Sequence, residues 1–353
     1  MTHVIVVSHN NAAEGAPRLC LKLATALHRA GGFARVFLCA LADGPTPDER
    51  IPAFGLSRVA QQAAAILRRG GAVTVILSTV ICARLAPSFR ARADPEGRHA
   101  DRLRVVGLIH EVRNETFAWV RPADLAGLDR AVFVARYTAD SYDPSFAPGL
   151  RREVILNWLT PDDMRRIDAI PEERADSRVI LAVGVVAKHK GQLHLARAVA
   201  ALRRRRPGYR LVLAGHVYDP AYARLVAEQD PGGVELAGAL AQADVLRHMR
   251  SCAVFVHGSP MESCCLSILE AMYAGCAVVA ARVGGVPEQI TDGRDGLLYQ
   301  HDDHEACAAA LERLLERDDE RRRIGASARE TVVARFSEPD KVAMYAPVLR
   351  QDR

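Results

Sequence analysis

Aromatic residues make up only 5% of the 353 positions, and two of them are tryptophan. The cores must therefore be built from Ala, Val, Leu and Ile. No apolar stretch reaches about 20 residues, the length that crosses a bilayer, so no integral membrane segment is expected. The opening MTHVIVVSHNN has no basic stretch ahead of its apolar run, and reads as a first strand, not a signal peptide. None of the eight cysteines (20, 39, 82, 252, 264, 265, 276 and 307) forms a CxxC pair. Several sit inside apolar runs, which argues for buried thiols in a reduced, cytoplasmic setting and against a disulfide scaffold. Cys264 and Cys265 are adjacent, but no His or Cys follows them at ligand spacing, so no metal is expected there. The net charge of +5 is small for this length. It permits an anionic small-molecule substrate and does not point to nucleic acid. The first strand is followed by SHNNAAEGAP instead of GxGxxG, which speaks against a dinucleotide-dependent oxidoreductase.

What the sequence does contain is alternation. Strands are predicted at 3–7, 34–40, 73–77, 104–109, 131–135 and 153–156, then at 178–183, 210–215, 234–236, 253–257 and 276–281. Helical patterns fall at 16–31, 57–69, 192–206, 241–250, 266–274 and 304–316. Strands apolar on both faces suit a parallel sheet covered on each side by helices, so the fold class is doubly wound α/β. The pattern restarts after TPDDMRRIDAIPEERADSR (160–178), whose Pro161, Pro171 and charges mark a linker. The expected organisation is a Rossmann-like domain over 1–160, a second over 161–335, and a C-terminal helix over 336–353 that packs back on one of them. Ligands bind beyond the carboxyl ends of such strands, so two facing halves would frame a central cleft. The segment APSFRARADPEGRHADR (86–102) reads as an exposed loop. Arg203 to Arg206 close a helix, where cations suit the negative end of its dipole.

The densest chemistry lies in GSPMESCCLSILEAMYAGCAVVAARVGGVPEQITDGRDGLLY (258–299). A strand ends at Gly258, and a helix begins near Leu266 or Ser267. Glu262 falls in the loop over the helix N-terminus and Glu270 one turn inside the helix. Free N–H groups at such an end suit a phosphate. Two carboxylates bracketing it suit the vicinal hydroxyls of a sugar nucleotide. The apolar neighbours Leu269, Ala271 and Met272 imply that Glu270 is buried and needs a partner. Gly275 stands where a helix C-cap glycine belongs. In VGVVAKHKGQLHLARAVAAL (183–202), a strand leads into Gly184, Lys188, Lys190 and Gly191 and then a helix. A lysine in that place can neutralise a diphosphate. Lys188 alone reads equally as a solvated loop residue. In HNNAAEGAPRLCLKLATALHRAGG (9–32), Gly15 permits close approach of a ligand, while Pro17 is explained as a first-turn residue. In GLIHEVRNE (107–115), His110 and Glu111 close a strand at its carboxyl end, where both structural and site histidines occur.

The 258–299 block resembles the donor-binding signature of retaining GT-B glycosyltransferases of family four, the glycosyl transferases group 1. The matching residues are Glu262 and Glu270 with seven residues between, Ala271 and Met272, Gly275, Val278 and Val279, Gly284 and Gly285 with Glu288, and the ending TDGRDGLLY. The resemblance implies a GT-B fold, a nucleotide diphosphate sugar as co-substrate (UDP first, GDP second), a hydroxyl acceptor and retention of configuration. It also implies no metal cofactor, and nothing like an Asp-x-Asp pair stands in the relevant loop. It implies that Glu270 binds the ribose hydroxyls, that Glu262 holds the donor sugar, and that the amides of Cys264, Cys265 and Leu266 face sugar and diphosphate. The family usually has a small residue and then Phe-Gly after the first glutamate. Here Ser263, Cys264 and Cys265 follow, which leaves the sugar open. Block 183–202 is similar to the family's Gly-Arg-x-x-x-x-Lys-Gly segment. Lys190 matches the diphosphate lysine, but the arginine falls at Val185, so either Lys188 substitutes or the role is missing. Gly15 and Arg18 resemble the family's first-loop pattern, and His110 stands where the family has a histidine that reaches the donor sugar. Asn157 and Trp158 correspond to Asn-Gly, and the tryptophan departs from it. Candidate catalytic residues are therefore Glu262, His110 and Lys190. Candidate donor contacts are Glu270, Lys188, Gly184, Ser263, Cys264, Cys265, Leu266, Gly15 and Arg18. The acceptor, whether of polysaccharide, glycolipid or natural-product assembly, stays open, as does peripheral contact with a membrane. The missing arginine keeps a second expectation in play, a catalytically degenerate nucleotide-sugar-binding protein or partner subunit.

Overall fold

The computed structural model describes residues 2–8, 15–40, 56–113, 120–143, 145, 147–171 and 176–350. The chain forms two compact units, Met1–Asn157 with Glu338–Arg353, and Trp158–Ser337.

The first unit holds six strands: β1 (Thr2–Ser8), β2 (Arg35–Ala40), β3 (Ala72–Ser78), β4 (Leu103–Ile109), β5 (Arg130–Phe133) and β6 (Arg151–Val154). Between them run α1 (Gly15–Ala30), α2 (Leu56–Arg68), α3 (Thr79–Ala83), α4 (Ala86–Ala93) and α5 (Arg136–Asp140). All pairings are parallel, in the order β2-β1-β3-β4-β5-β6. The order turns back at β1 and β3, so the carboxyl ends of these two strands flank the switch point where such sheets bind ligands. All seven residues of β4 are buried, as expected of a strand covered on both faces.

The second unit holds β7 (Asp176–Val183), β8 (Arg210–Ala214), β9 (Val234–Gly238), β10 (Cys252–His257), β11 (Val278–Ala281) and β12 (Leu297–Tyr299). Its helices are α6 (Pro161–Asp168), α7 (Gln192–Arg205), α8 (Pro220–Ala227), α9 (Gln242–Ser251), α10 (Leu266–Tyr273), α11 (Val286–Gln289), α12 (His304–Glu316) and α13 (Asp318–Arg335). The parallel order β12-β11-β10-β7-β8-β9 places the switch point between β7 and β10. Its core is Ala, Val, Leu and Ile from the strands and from α7 and α12, with few rings. A final helix, α14 (Glu338–Leu349), belongs to the first unit and packs against α1. Thr74 Oγ1 donates to the Leu349 carbonyl at 2.7 Å and ties α14 to β3.

The eleven predicted strands all occur, and β12 is a twelfth. Two stretches read as irregular are partly helical. Residues 86–93 of the expected exposed loop form α4, because Pro87 starts a helix without needing its missing N–H, and Ala86, Phe89 and Ala93 turn into the core. The expected linker begins with α6. The Thr160 hydroxyl accepts from the Asp163 N–H, the Asp163 carboxylate accepts from the Thr160 N–H, and Pro161 fills the first turn. The arginines closing α7 also meet acids across the surface: Arg205 pairs with Glu305 and Glu312 of α12. Among the described residues, no helix is long and apolar enough to cross a membrane.

Candidate functional site

The switch point of the second unit collects most of the expected residues. After β7, Gly184 turns the chain at φ +145°, and a short 3-10 turn, Lys188–Lys190, leads into Gly191 and α7. Gln192 anchors this turn, donating from Nε2 to the Val185 carbonyl at 2.8 Å. After β10, the loop from Gly258 leads through Glu262 to α10, which starts at Leu266. Gly191 sits at φ +68°, and a Cβ there would lie 1.9 Å from the Gly258 carbonyl oxygen. The lysine turn and the glutamate loop are thus in backbone contact. Gly191→Ala is expected to cost about 2–4 kcal/mol of stability, because strain and collision fall at the same atom. A urea midpoint matching that of the parent chain would show that the two turns are not pressed together.

Glu262 is the hub. Its Oε2 accepts from Lys190 Nζ at 3.2 Å and from His257 Nε2 at 3.3 Å. Its carbonyl accepts from the Gly285 N–H at 2.9 Å, and Gly284 is at φ +51°, where an added Cβ would also meet that same carbonyl at 2.0 Å. Both glycines of the sequence motif therefore hold the Glu262 backbone. Burial works to raise the Glu262 carboxyl, but the His257 hydrogen bond and the Lys190 charge outweigh it and hold it at about 2. Burial pulls Lys190 down, and Glu262 draws it back above the ordinary lysine value. Burial likewise disfavours the charged form of His257, yet Cys265 and then Glu262 raise it to about 9. Cys265 is pushed up by burial and by Glu262, but His257 and Lys190 prevail and lower it. At neutral pH the site holds one carboxylate between two cations.

Glu270 lies one turn inside α10 and is 4% exposed, a buried carboxylate as the apolar neighbours implied. The N–H groups of Leu266, Ser267 and Ile268 open α10 and have no acceptor within the helix. The amide of Cys265, one of the expected set, is engaged within the protein. It donates to Gln289 Oε1 at 2.8 Å, and Gln289 Nε2 returns a bond to the Cys265 carbonyl at 2.9 Å. Gln289 is wholly buried, so this clamp fixes the helix start. Ser263 and Cys264 lie in the loop just before it, Cys264 buried and Ser263 half-buried. Lys188 is exposed and forms no ion pair among the described residues, so it does not converge on Glu262 as Lys190 does. Val185 lies at the β7 end of the same turn. Trp158 is fully buried, a packing residue.

In the first unit, His110 follows β4, and its Nε2 lies 3.1 Å from Ser78 Oγ at the end of β3. Glu111 Oε2 accepts from the Val80 N–H at 3.0 Å and the His110 N–H at 3.2 Å. Burial raises the Glu111 carboxyl above its ordinary value. Between them Thr79 takes φ +73°, left-handed for a β-branched residue, and the Glu111 bond to the next N–H supports that turn. Gly15 opens α1 and Arg18 lies in its first turn, half-exposed, beyond the end of β1 and so on the same edge of the sheet. Residues 9–14, with the rest of the expected glycine loop, lie outside the described residues, as do Asn114 and Glu115.

Three residues escaped the sequence reading. His257 looked like the last position of an apolar strand, and Gln289 stands 24 residues from the amide it holds. Ser259, buried, donates from Oγ to the His189 carbonyl at 3.0 Å and laces the two turns together. No His or Cys stands at ligand spacing downstream of Cys265. The structure supplies one upstream, with a ring nitrogen of His257, a carboxylate oxygen of Glu262 and Cys265 Sγ within 4.8 Å of one another.

Residues 163–331 match the family described as glycosyl transferases group 1. Over 173 residues the chain is 36% identical to the alpha-maltose-1-phosphate synthase of Mycolicibacterium smegmatis, covering 45% of this chain and 44% of that protein. It is 34% identical to the D-inositol 3-phosphate glycosyltransferase of Streptomyces scabiei, over 64% of this chain and 52% of that one. It is 27% identical to the GDP-mannose-dependent alpha-(1-6)-phosphatidylinositol monomannoside mannosyltransferase of Mycobacterium tuberculosis, over 64% and 63%. The chain thus spans about half the length of the curated relatives it matches. Among solved structures, HepE of Anabaena in complex with UDP-glucose superposes with a TM-score of 0.78 at 17% identity, over 98% of each chain. Sucrose-phosphate synthase of Thermosynechococcus elongatus gives 0.76 at 18%, over 99% of this chain and 98% of that one. These likenesses establish the GT-B fold.

Proposed function

We propose that this chain, which belongs through residues 163–331 to the glycosyl transferases group 1 family, transfers a sugar from a nucleotide diphosphate sugar to a hydroxyl acceptor, with retention and without a metal cofactor. The observation that carries the reading is Glu262, held ionised between Lys190 and His257 at the mouth of α10, with Glu270 buried one turn on. In this reading Lys190 and the first-turn amides of α10 take the charge that gathers on the departing diphosphate. Glu262 orients the donor sugar and Glu270 binds the ribose. The bond from the anomeric carbon to the diphosphate oxygen breaks while the acceptor oxygen bonds to the same face. The acceptor proton passes to the leaving phosphate, so no protein base is required. Acceptor recognition falls to the first unit, while His110, with Gly15 and Arg18, keeps the donor-side role that the family resemblance implies. UDP is the first expectation and GDP the second. One solved neighbour is titled with UDP-glucose and one relative is named for GDP-mannose.

Glu270→Gln is expected to weaken nucleotide binding about 10- to 100-fold, the loss of one or two charge-assisted hydrogen bonds. Calorimetric titration of UDP and GDP measures it, and unchanged affinity would remove Glu270 from the nucleotide site. The whole reading is tested by a thermal-shift panel of nucleotide sugars, then mass-spectrometric turnover with the stabilising donor in EDTA. Turnover lost with chelator and restored by manganese would refute the metal-free route. Val185, where the family has arginine, favours a second reading, a binding protein that has lost turnover. Tight donor binding with neither transfer nor slow donor hydrolysis would select it.

A further inference from the structure

His257, Glu262 and Cys265 come from the end of β10 and the loop that follows, and together they offer one nitrogen, one oxygen and one sulfur. Their ligand atoms all lie within 4.8 Å of one another. The His257 Nε2 to Glu262 Oε2 separation is 3.3 Å. Two such ligands on a tetrahedral Zn2+, each at about 2.0–2.1 Å, stand roughly 3.3 Å apart. His257 is 7% exposed, and its Nε2 already faces the Glu262 carboxylate, so ligation through Nε2 needs no turn of the ring. The Gln289 clamp holds the backbone of Cys265, and the Cys265 sulfur, 3.1 Å from Ser267 Oγ, lies with the other two ligand atoms.

We propose that His257, Glu262 and Cys265 form a binding site for a soft divalent cation of the Zn2+ class, and that its occupation withdraws Glu262 from the donor. The ligand set decides the class. A thiolate with an imidazole and one carboxylate selects Zn2+, Cd2+ or Co2+ over Mg2+ or Mn2+. Three protein ligands leave a fourth position for water. On binding, the His257 imidazolium and the Cys265 thiol each release a proton to solvent, so that the neutral ring and the thiolate ligate. The Glu262 oxygen that now accepts from Lys190 turns to the cation, and the lysine ammonium is released. The cation is therefore an inhibitor and takes no part in transfer. The inhibitory half of the proposal rests on the reading above; the binding half does not.

Cobalt titration of the full chain separates the two. One equivalent of Co2+ should give the intense visible bands of a tetrahedral site with a thiolate-to-cobalt band in the near ultraviolet, both bleached by Zn2+. Cys265→Ser should abolish the near-ultraviolet band and weaken cobalt binding by more than the roughly 10- to 100-fold that loss of an outer-shell partner costs. His257→Gln should weaken binding comparably while keeping the band at saturation. Cys276→Ser should leave both unchanged, because Cys276 faces Cys252 with the sulfurs 3.9 Å apart and is a separate pair. Absence of a thiolate band in the parent chain at saturating cobalt overturns the site, whatever the variants do. So does a band that survives in Cys265→Ser or disappears in Cys276→Ser. If cobalt binds as described, Zn2+ should raise the KM for the donor at unchanged kcat. Zn2+ bound at this site without effect on donor KM overturns the inhibitory half alone.

Discussion

Replacing Glu262 with glutamine is expected to lower kcat/KM about 100- to 1000-fold and to destabilise the second unit. Glutamine keeps the shape and removes the charge. Lys190 and His257 would then face each other across a neutral amide, two cations with no anion between them. Breaking a buried pair by removing one partner costs about 3–5 kcal/mol, because the remaining charge stays desolvated. Lys190 is 30% exposed, so solvent screens part of this, and His257 can shed its proton, which puts the expected loss at the lower end. The melting point should fall by roughly 6–10 °C for a unit of this size. The catalytic loss follows from orientation, since a donor sugar held only by an amide is poorly placed for attack. Steady-state kinetics and calorimetry on one preparation check both parts. A variant that melts lower but turns over normally would make Glu262 structural.

Lys190→Met is the second large effect. Methionine keeps the apolar stem and deletes the ammonium, so the turn should hold while the diphosphate loses its cation. A positioned charge that acts on a developing anion is worth about 100- to 1000-fold in kcat. Val185 supplies no arginine, and Lys190 is the cation of this turn that pairs with Glu262, so its loss is expected to be felt most. Loss should concentrate in kcat, and Lys190→Arg should recover part of it. If kcat changes less than tenfold, another group neutralises the leaving phosphate.

The parallel sheets were legible because their strands are apolar on both faces, as the seven buried residues of β4 show. Three of the elements that escaped did so for local reasons. β12 has three residues, too few for any period. α4 places only Ala86, Phe89 and Ala93 inward, among arginines that read as loop. The start of α6 was written in Thr160, Pro161 and Asp163 but lay inside a run dominated by charge. At the site, Glu262, Lys190 and Glu270 were visible because their spacing is a motif. His257 was not, because a histidine ending an apolar strand gives no sign of what it faces. Gln289 and the Cys265 amide meet only through the fold, and no spacing rule links them.

The first unit is assembled from two pieces of chain, since α14 returns to β3 and α1 after the whole second unit has passed. During synthesis the ribosome completes the second unit while the first still lacks a helix. The stretch of α1 and β3 that α14 covers must wait, exposed, for about 180 further residues to emerge, about ten seconds or more at ordinary elongation rates. The natural order of maturation is thus the reverse of the reading order, with the later half the first to be finished. A chaperone that binds nascent apolar surface would find its target at the beginning of this protein.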